Sequence, residues 1–314
     1  MLDYPRPCCV RKVLVTLPNG RSIAVRLSDR SRRVPPTALV MLSRVSVQLG
    51  AAIAKTLFDS LGPGGTVFMR ITFAALVLVL LVRPKLRGYD RAGYLVAGLF
   101  GLALSAMNLS IYLAIDRIPL GVAVTLEFVG PLGLAVAGSR RVLDLLWVVL
   151  AAAGILLLAP LGLFGGMDLD PVGVAFALLA GCLWASYILL SARTGSAFPG
   201  GTGLVIALCV GTVILCPFGI ADAGYALLDP KLLVAGFGVA MLSSAIPFSL
   251  ELEALRKIPA RVFGVLMSLE PAVAALAGLV VLGERLGMRA VAAVFFVTVA
   301  AAGASLFARR DEAQ

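Results

Sequence analysis

Apolar runs of roughly helix-spanning length follow one another along almost the whole chain beyond residue 36, broken by short clusters of Gly, Pro and charge. About 20 apolar residues in a helix cross the hydrocarbon core of a bilayer. Ten runs meet or approach that length: 37–58, 66–82, 93–115, 119–138, 143–161, 171–191, 201–219, 232–254, 260–282 and 290–308. The breaks carry turn chemistry, as in LGPGG (61–65), RPKLRGYD (83–90), GSRR (138–141), GGMDLDP (165–171), FPGG (198–201) and LDPK (228–231). The pattern predicts ten membrane-crossing helices.

One stretch occurs twice, 140 residues apart. AIDRIPLGVAVTLEFVGPLGLAVAG (114–138) and ALRKIPARVFGVLMSLEPAVAALAG (254–278) share Ala114/Ala254, Ile118/Ile258, Pro119/Pro259, Val122/Val262, Leu126/Leu266, Pro131/Pro271, Ala135/Ala275, Ala137/Ala277 and Gly138/Gly278. These segments are spans 4 and 9. An odd separation of five crossings makes them run in opposite directions, so the halves read as inverted repeats. The predicted fold class is an all-α integral membrane protein of ten transmembrane helices in two inverted five-helix repeats. The repeats cover 37–161 and 171–308, joined by a linker at 162–170, with a cytoplasmic tail at 309–314.

Composition agrees. Hydrophobic residues make up 60% of the 314 and charged residues 14%, against about 45–50% and about 25% in soluble domains. The net charge of +10 does not call for nucleic acid, because membrane topology accounts for its placement. With the N-terminus inside, cytoplasmic segments hold Arg83, Lys85, Arg87, Arg91, Arg140, Arg141, Arg193, Arg256, Lys257, Arg261, Arg309 and Arg310. Outer loops keep Arg117, Lys231, Arg285 and Arg289. Both termini are predicted to be cytoplasmic, in a multi-pass protein of the inner membrane. Residues 1–36 form a basic tail, eight Lys/Arg against two Asp, without the apolar region of a signal peptide. Within it, 13–27 alternates around Asn19-Gly20 like a β-hairpin.

Histidine is absent, which removes histidine-based metal and acid–base sites. The five cysteines contain no CxxC pair and read as packing residues. No P-loop or nucleophile elbow occurs. No cofactor is called for, and a membrane-embedded enzyme or a passive channel is a distant alternative.

A charge at the bilayer centre costs at least about 2.5–3.5 kcal/mol on insertion scales and needs a reason. Glu127 and Glu270 fall near mid-depth in spans 4 and 9. Pro131 cannot donate to the Glu127 carbonyl, and Pro271 leaves that of Met267 free. Freed backbone at this depth needs a protein or cavity cover. In span 1, Arg44, Gln48 and Lys55 form one polar stripe, with Lys55 able to snorkel. Arg70 lies in span 2. Ser105, Asn108 and Tyr112 share a face of span 3, for helix association or for substrate. Ser243, Pro247 and Glu251 form a kinked polar face of span 8, whereas Glu253 points away, toward Arg256 and Lys257. Trp184 and Tyr187 in span 6 are core or binding aromatics.

The whole arrangement resembles the drug/metabolite transporter superfamily, specifically EamA-type exporters. LEPAVAALAG…LGERL (269–286) is a general feature of that group. LEFVGPLGLAVAGSRRVLDLLWVVLAAAGI (126–155), VQLGAAIAKTLF (47–58) and IPFSLELEALRKIPARVFGVLMSLEPAVAALAG (246–278) are similar to its threonine- and homoserine-exporting branch. The resemblance covers about residues 35–308 and implies secondary efflux of small neutral amino acids. A zwitterion needs a cation for its carboxylate, Arg44 or Arg70, and an acid for its ammonium, Glu127 or Glu270. A glutamate contested by proton and substrate gives antiport. The expected partners are an amino acid, protons and lipid, with self-association left open. A broad exporter of lipophilic drugs or metabolites is the alternative within this fold.

Overall fold

The computed structural model describes residues 13–16, 22–25, 35–84, 89–137, 142–158, 169–198, 201–255, 258 and 260–307. In the tail, β1 (Val13–Thr16) and β2 (Ser22–Val25) pair antiparallel, Val13 opposite Val25 and Thr16 opposite Ser22. This is the hairpin that alternation about Asn19-Gly20 predicts. Everything else described is helical or connecting chain.

Ten helical segments follow, each at a predicted span. They are α1 (Pro36–Thr56), α2 (Phe58–Val82), α3 (Arg91–Arg117), α4a (Leu120–Glu127) with α4b (Val129–Ala137), and α5 (Val142–Leu158). The second half has α6 (Pro171–Ala197), α7 (Thr202–Ala223), α8a (Pro230–Ala240) with α8b (Ile246–Leu255), α9a (Ala260–Met267) with α9b (Glu270–Leu282), and α10 (Met288–Phe307). Among the described residues, six stretches are long and apolar enough to cross a membrane unaided. The others are shorter or built in pieces.

Sequence explains the starts. Asp90, Asp170 and Asp229 cap α3, α6 and α8a, accepting from Gly93, Val172 and Lys231 amides at 2.8–2.9 Å. Each satisfies one of the amides that a helix start leaves without a partner. Within α2, Gly62 adopts φ 65, outside the helical region, just before Pro63. The membrane part of α2 therefore restarts there, where LGPGG predicts a break. Asp222 of α7 accepts from the Gly64 amide at 2.8 Å and caps the restart.

The three broken helices each carry a proline in their apolar run, Pro131, Pro247 or Pro271, although α7 carries Pro217 and stays continuous. In α4 and α9 the break falls at equivalent repeat positions, Phe128 and Ser268. In α8 a π-helical turn, Met241–Ala245, precedes Pro247. The Ile246 amide donates to Met241, five residues back. By that register the next carbonyl, Leu242, would need the amide that Pro247 lacks. Ser46 of α1 supplies the donor instead, its Oγ 2.7 Å from the Leu242 oxygen.

Packing crosses between the halves. Helix α3 lies on α6 as α8 lies on α1, and α6 holds both pieces of α4 as α1 holds both pieces of α9. Helices α2 and α7, α5 and α10, and α4a and α9b pair with each other. The closest approach is α4b on α6. A Cβ on Gly130 would overlap the Gly181 carbonyl, and one on Gly181 would lie 2.6 Å from the Glu127 oxygen. The carbonyl that Pro131 frees is thus covered by another helix's backbone.

Two predictions follow from this packing. Alanine at Gly130 or Gly181 should destabilise the detergent-solubilised protein by about 1–3 kcal/mol through overpacking. Alanine at Gly133, whose Cβ would meet nothing within 4 Å, should not. Unfolding midpoints distinguish them. Asp170, outside the membrane segments, is held below the usual aspartate range by the Arg117 side chain and by the Val172 amide. A depressed folded pKa stabilises above the ordinary aspartate value and loses that contribution as pH falls through the folded one. The pair is exposed, 43% and 32%, so the effect is small. Asp170→Asn should lower the melting temperature slightly at pH 7, with the difference shrinking as pH falls below the ordinary aspartate value of about 3.9.

Candidate functional site

The polar residues predicted in separate spans converge on one cavity of about 580 Å³ between the halves. All eight candidates line it: Arg44, Gln48, Arg70, Asn108, Tyr112, Glu127, Glu251 and Glu270. So do the kink prolines Pro131 and Pro247. Pro271 does not; it stands in the first turn of α9b, next to Glu270. A volume within about 300–1,000 Å³ is typical of small-molecule sites.

Arg44 is the hub. Its Nη1 lies 3.3 Å from Glu270 Oε2, and its Nη2 pairs with Glu251 Oε1 and donates to Ser43 Oγ at 3.0 Å. Ser43 Oγ donates in turn to Glu251 Oε1 at 2.5 Å. Gln48 Nε2, one turn along α1, donates to Glu270 Oε1 at 3.0 Å. A single guanidinium therefore serves two carboxylates from α8b and α9b. Burial makes this necessary: the Arg44 and Glu270 side chains are 7% exposed, and an unpaired charge there is costly.

Arg70 and Glu127 are arranged differently. Arg70 Nη1 donates to the Tyr112 hydroxyl at 3.1 Å, and the guanidinium lies over the Tyr112 ring, 5.5 Å from its centroid. No carboxylate pairs with Arg70 among the described residues. The buried Glu127 carboxylate likewise has no hydrogen-bond or ion-pair partner there, although it lies within electrostatic reach of Glu270 and Arg70. Arg44 Nε, Arg70 Nε, Gln48 Oε1 and Ser243 Oγ are buried without a partner. Such atoms are expensive unless a ligand or water satisfies them.

Other predicted residues fall on the wall or outside it. Asn108 Nδ2 donates back to the Leu104 carbonyl at 2.8 Å. Ser105 does not reach the cavity; it bonds the Gly101 carbonyl at 2.6 Å and packs at Gly211 of α7, so it joins helices. Trp184 and Tyr187 form an aromatic wall, Trp184 edge-on to Phe128 at 5.4 Å. Lys55 does not snorkel but pairs with Glu284 at 2.8 Å. The predicted contact of Glu253 lies outside the described residues.

Ser43 and Ser46 are the polar contributors that sequence reasoning missed. Nothing distinguishes them from other small residues of α1 until Glu251 and the Leu242 carbonyl come beside them. The freed carbonyl near Pro247 was a signal for a donor, but the π turn decides which carbonyl is orphaned.

A mostly apolar cavity carrying a few buried charges inside a bundle of apolar helices suits a membrane transporter, and the comparisons show that class. Residues 171–306 match the EamA-like transporter family. The threonine/homoserine exporter RhtA of Salmonella typhimurium (strain LT2) is 39% identical over 284 residues, 90% of this chain and 96% of that protein. The threonine/homoserine exporter RhtA of Escherichia coli (strain K12) is 38% identical over 283 residues, 89% and 95% of the two chains. A solved structure described as "Crystal structure of protein" shares the fold, with a TM-score of 0.53 at 22% identity, covering 88% of this chain and 99% of its own. The chain belongs to the EamA-like transporter family. It is a multi-pass membrane transporter, not an enzyme.

Removing Arg44 leaves two buried carboxylates unbalanced. Arg44→Met should destabilise by about 3–5 kcal/mol, and adding Glu251→Gln with Glu270→Gln should recover most of the loss. Ser46→Ala should cost about 1–3 kcal/mol by orphaning the Leu242 carbonyl. Denaturant titration of the purified protein checks both.

Proposed function

We propose that the chain exports small neutral amino acids of the threonine and homoserine kind from the cytoplasm, by proton antiport with alternating access between two inverted repeats. The name shared by relatives that match about nine-tenths of the chain supports the cargo. The observation carrying the mechanism is the contrast inside the cavity. Arg44 is already ion-paired with Glu251 and Glu270, while Arg70 and Glu127 have no ion-pair partner among the described residues. Arg70 then receives the substrate carboxylate, and Glu127 the ammonium. Of the pairs open from sequence, this is the one the geometry favours.

The coupling step needs no further group. A protonated Glu127 is neutral and has no charge for an ammonium. When substrate binds, the proton leaves the carboxyl oxygen, and the ammonium donates to the carboxylate instead. Substrate and proton are thereby mutually exclusive on one side chain, which is the condition for exchange. Paired packing between the halves supports the inverted repeat, since α1 relates to α8 and α9 as α6 relates to α3 and α4. Rocking of one half against the other would expose the cavity to each face in turn.

The aromatic wall at Phe128, Trp184 and Tyr187 gives substance to the second reading, an exporter of lipophilic drugs or metabolites. Growth resistance separates the two. Overexpression should protect against toxic amino-acid analogues and not against cationic dyes; the reverse pattern would replace the cargo assignment. In proteoliposomes, Glu127→Gln should abolish threonine efflux driven by a pH gradient, and Arg70→Gln should weaken threonine binding. Undiminished driven efflux in both Glu127→Gln and Glu270→Gln would refute the antiport mechanism.

A further inference from the structure

A second charged cluster lies away from the cavity, at the end of the bundle assigned to the outer face. Lys55, in the last turn of α1, donates to Glu284 Oε1 at 2.8 Å and to the Ile118 carbonyl at 3.3 Å. Glu284 Oε2 accepts from the Leu120 amide at 2.8 Å. Leu120 opens α4a, whose own N-cap position, Pro119, makes no side-chain capping bond. Glu284 takes over that role and places negative charge at the positive end of the helix dipole. Its position is fixed locally. Gly283 ends α9b at φ 67, and the Glu284 amide returns to the Gly278 carbonyl at 3.0 Å, as in a Schellman turn.

Three segments thus meet at one carboxylate: the end of α1, the joint between α3 and α4a, and the turn after α9b. The first two belong to one half and the third to the other. The two side chains are 22% and 15% exposed, so water screens them only partly. The more exposed Arg117–Asp170 pair also bridges the halves at this face.

The cavity lies directly beneath. Ile115 and Leu120, each 1% exposed, close its outer end. Toward the other face its lining reaches Leu204, near the start of α7, and Glu251, in the last turns of α8b. The other half supplies a contrast. Near the end of α6, Arg193-Thr194 stands much as Lys55-Thr56 does at the end of α1. Arg193 is exposed and has no ion-pair partner among the described residues.

We propose that the Lys55–Glu284 clamp is the outer gate of the carrier, holding the halves together while the cavity faces the cytoplasm and parting when it faces out. The inference rests on the alternating-access reading. Because both clamp residues lie outside the substrate cavity, the gate sets which face is open and not what is bound. Loss of a contact made in one state only shifts the population toward the other.

Solvent access to Ile115 tests this without any substrate. In a chain whose five native cysteines are replaced by alanine, Ile115→Cys is exposed to a membrane-impermeant maleimide from each face of oriented vesicles. With the clamp intact, labelling should come from the inner face and be slow from the outer. Lys55→Met and Glu284→Gln should each raise outer-face labelling by about tenfold, as expected when a minor state gains population. Lys55→Arg, which keeps both the ion pair and a donor for the Ile118 carbonyl, should keep it slow. No rise in either single variant, or an equal rise in Lys55→Arg, would overturn the gate. Labelling of the intact chain from the outer face alone would refute the assigned sidedness, while the response to Glu284→Gln would still judge the clamp.

Discussion

An unpaired charge is costly in a low-dielectric interior, and this constraint organises the middle of the molecule. Arg44 satisfies it for Glu251 and Glu270 at once, with Ser43 sharing the Glu251 oxygen that the guanidinium pairs with and Gln48 taking up the Glu270 oxygen that it does not reach. The consequence is mechanical as well as electrostatic. The network ties α1 of the first half to α8b and α9b of the second, so the halves cannot separate at this depth without breaking it. It also leaves Arg70 and Glu127 as the remaining charges that line the cavity, which is why we propose the binding role for them.

Broken helices are the second constraint. A proline at membrane depth leaves a carbonyl that lipid cannot satisfy, and the breaks in α4 and α8 each have their own solution. The Glu127 carbonyl faces the backbone of Gly181, and the Leu242 carbonyl receives the Ser46 hydroxyl. Both covers come from the helices, α6 and α1, that hold the broken one in place. Breaks and close packing are therefore one feature: the polar backbone near the cavity exists because a small or hydroxylated residue on a neighbour accepts it.

Much of this was legible from the residues in order. Ten apolar runs gave the ten helices, LGPGG marked the interruption at Gly62, and i, i+4 spacing brought Arg44 and Gln48 to one face. The repeated segment anticipated equivalent breaks at Phe128 and Ser268. Pairings between helices were not legible, because hydropathy fixes which face is polar but not which polar faces meet. Arg44 and Arg70 were equivalent candidates until Glu251 reached one of them, and Lys55 read as a snorkelling residue until the turn at Gly283 returned Glu284 to it. Ser105 shared a face with Asn108 and Tyr112 yet was taken up by Gly211, since a helix face is wider than the strip a cavity exposes.

The central claim is that one carboxylate serves proton and substrate in turn. Proton release on binding measures this directly: threonine is added to the purified protein in weakly buffered detergent solution near neutral pH, and the liberated protons are counted. The account predicts release of about one proton per bound threonine from the wild type, and none from Glu127→Gln. Threonine binding with no proton release from the wild type would contradict it.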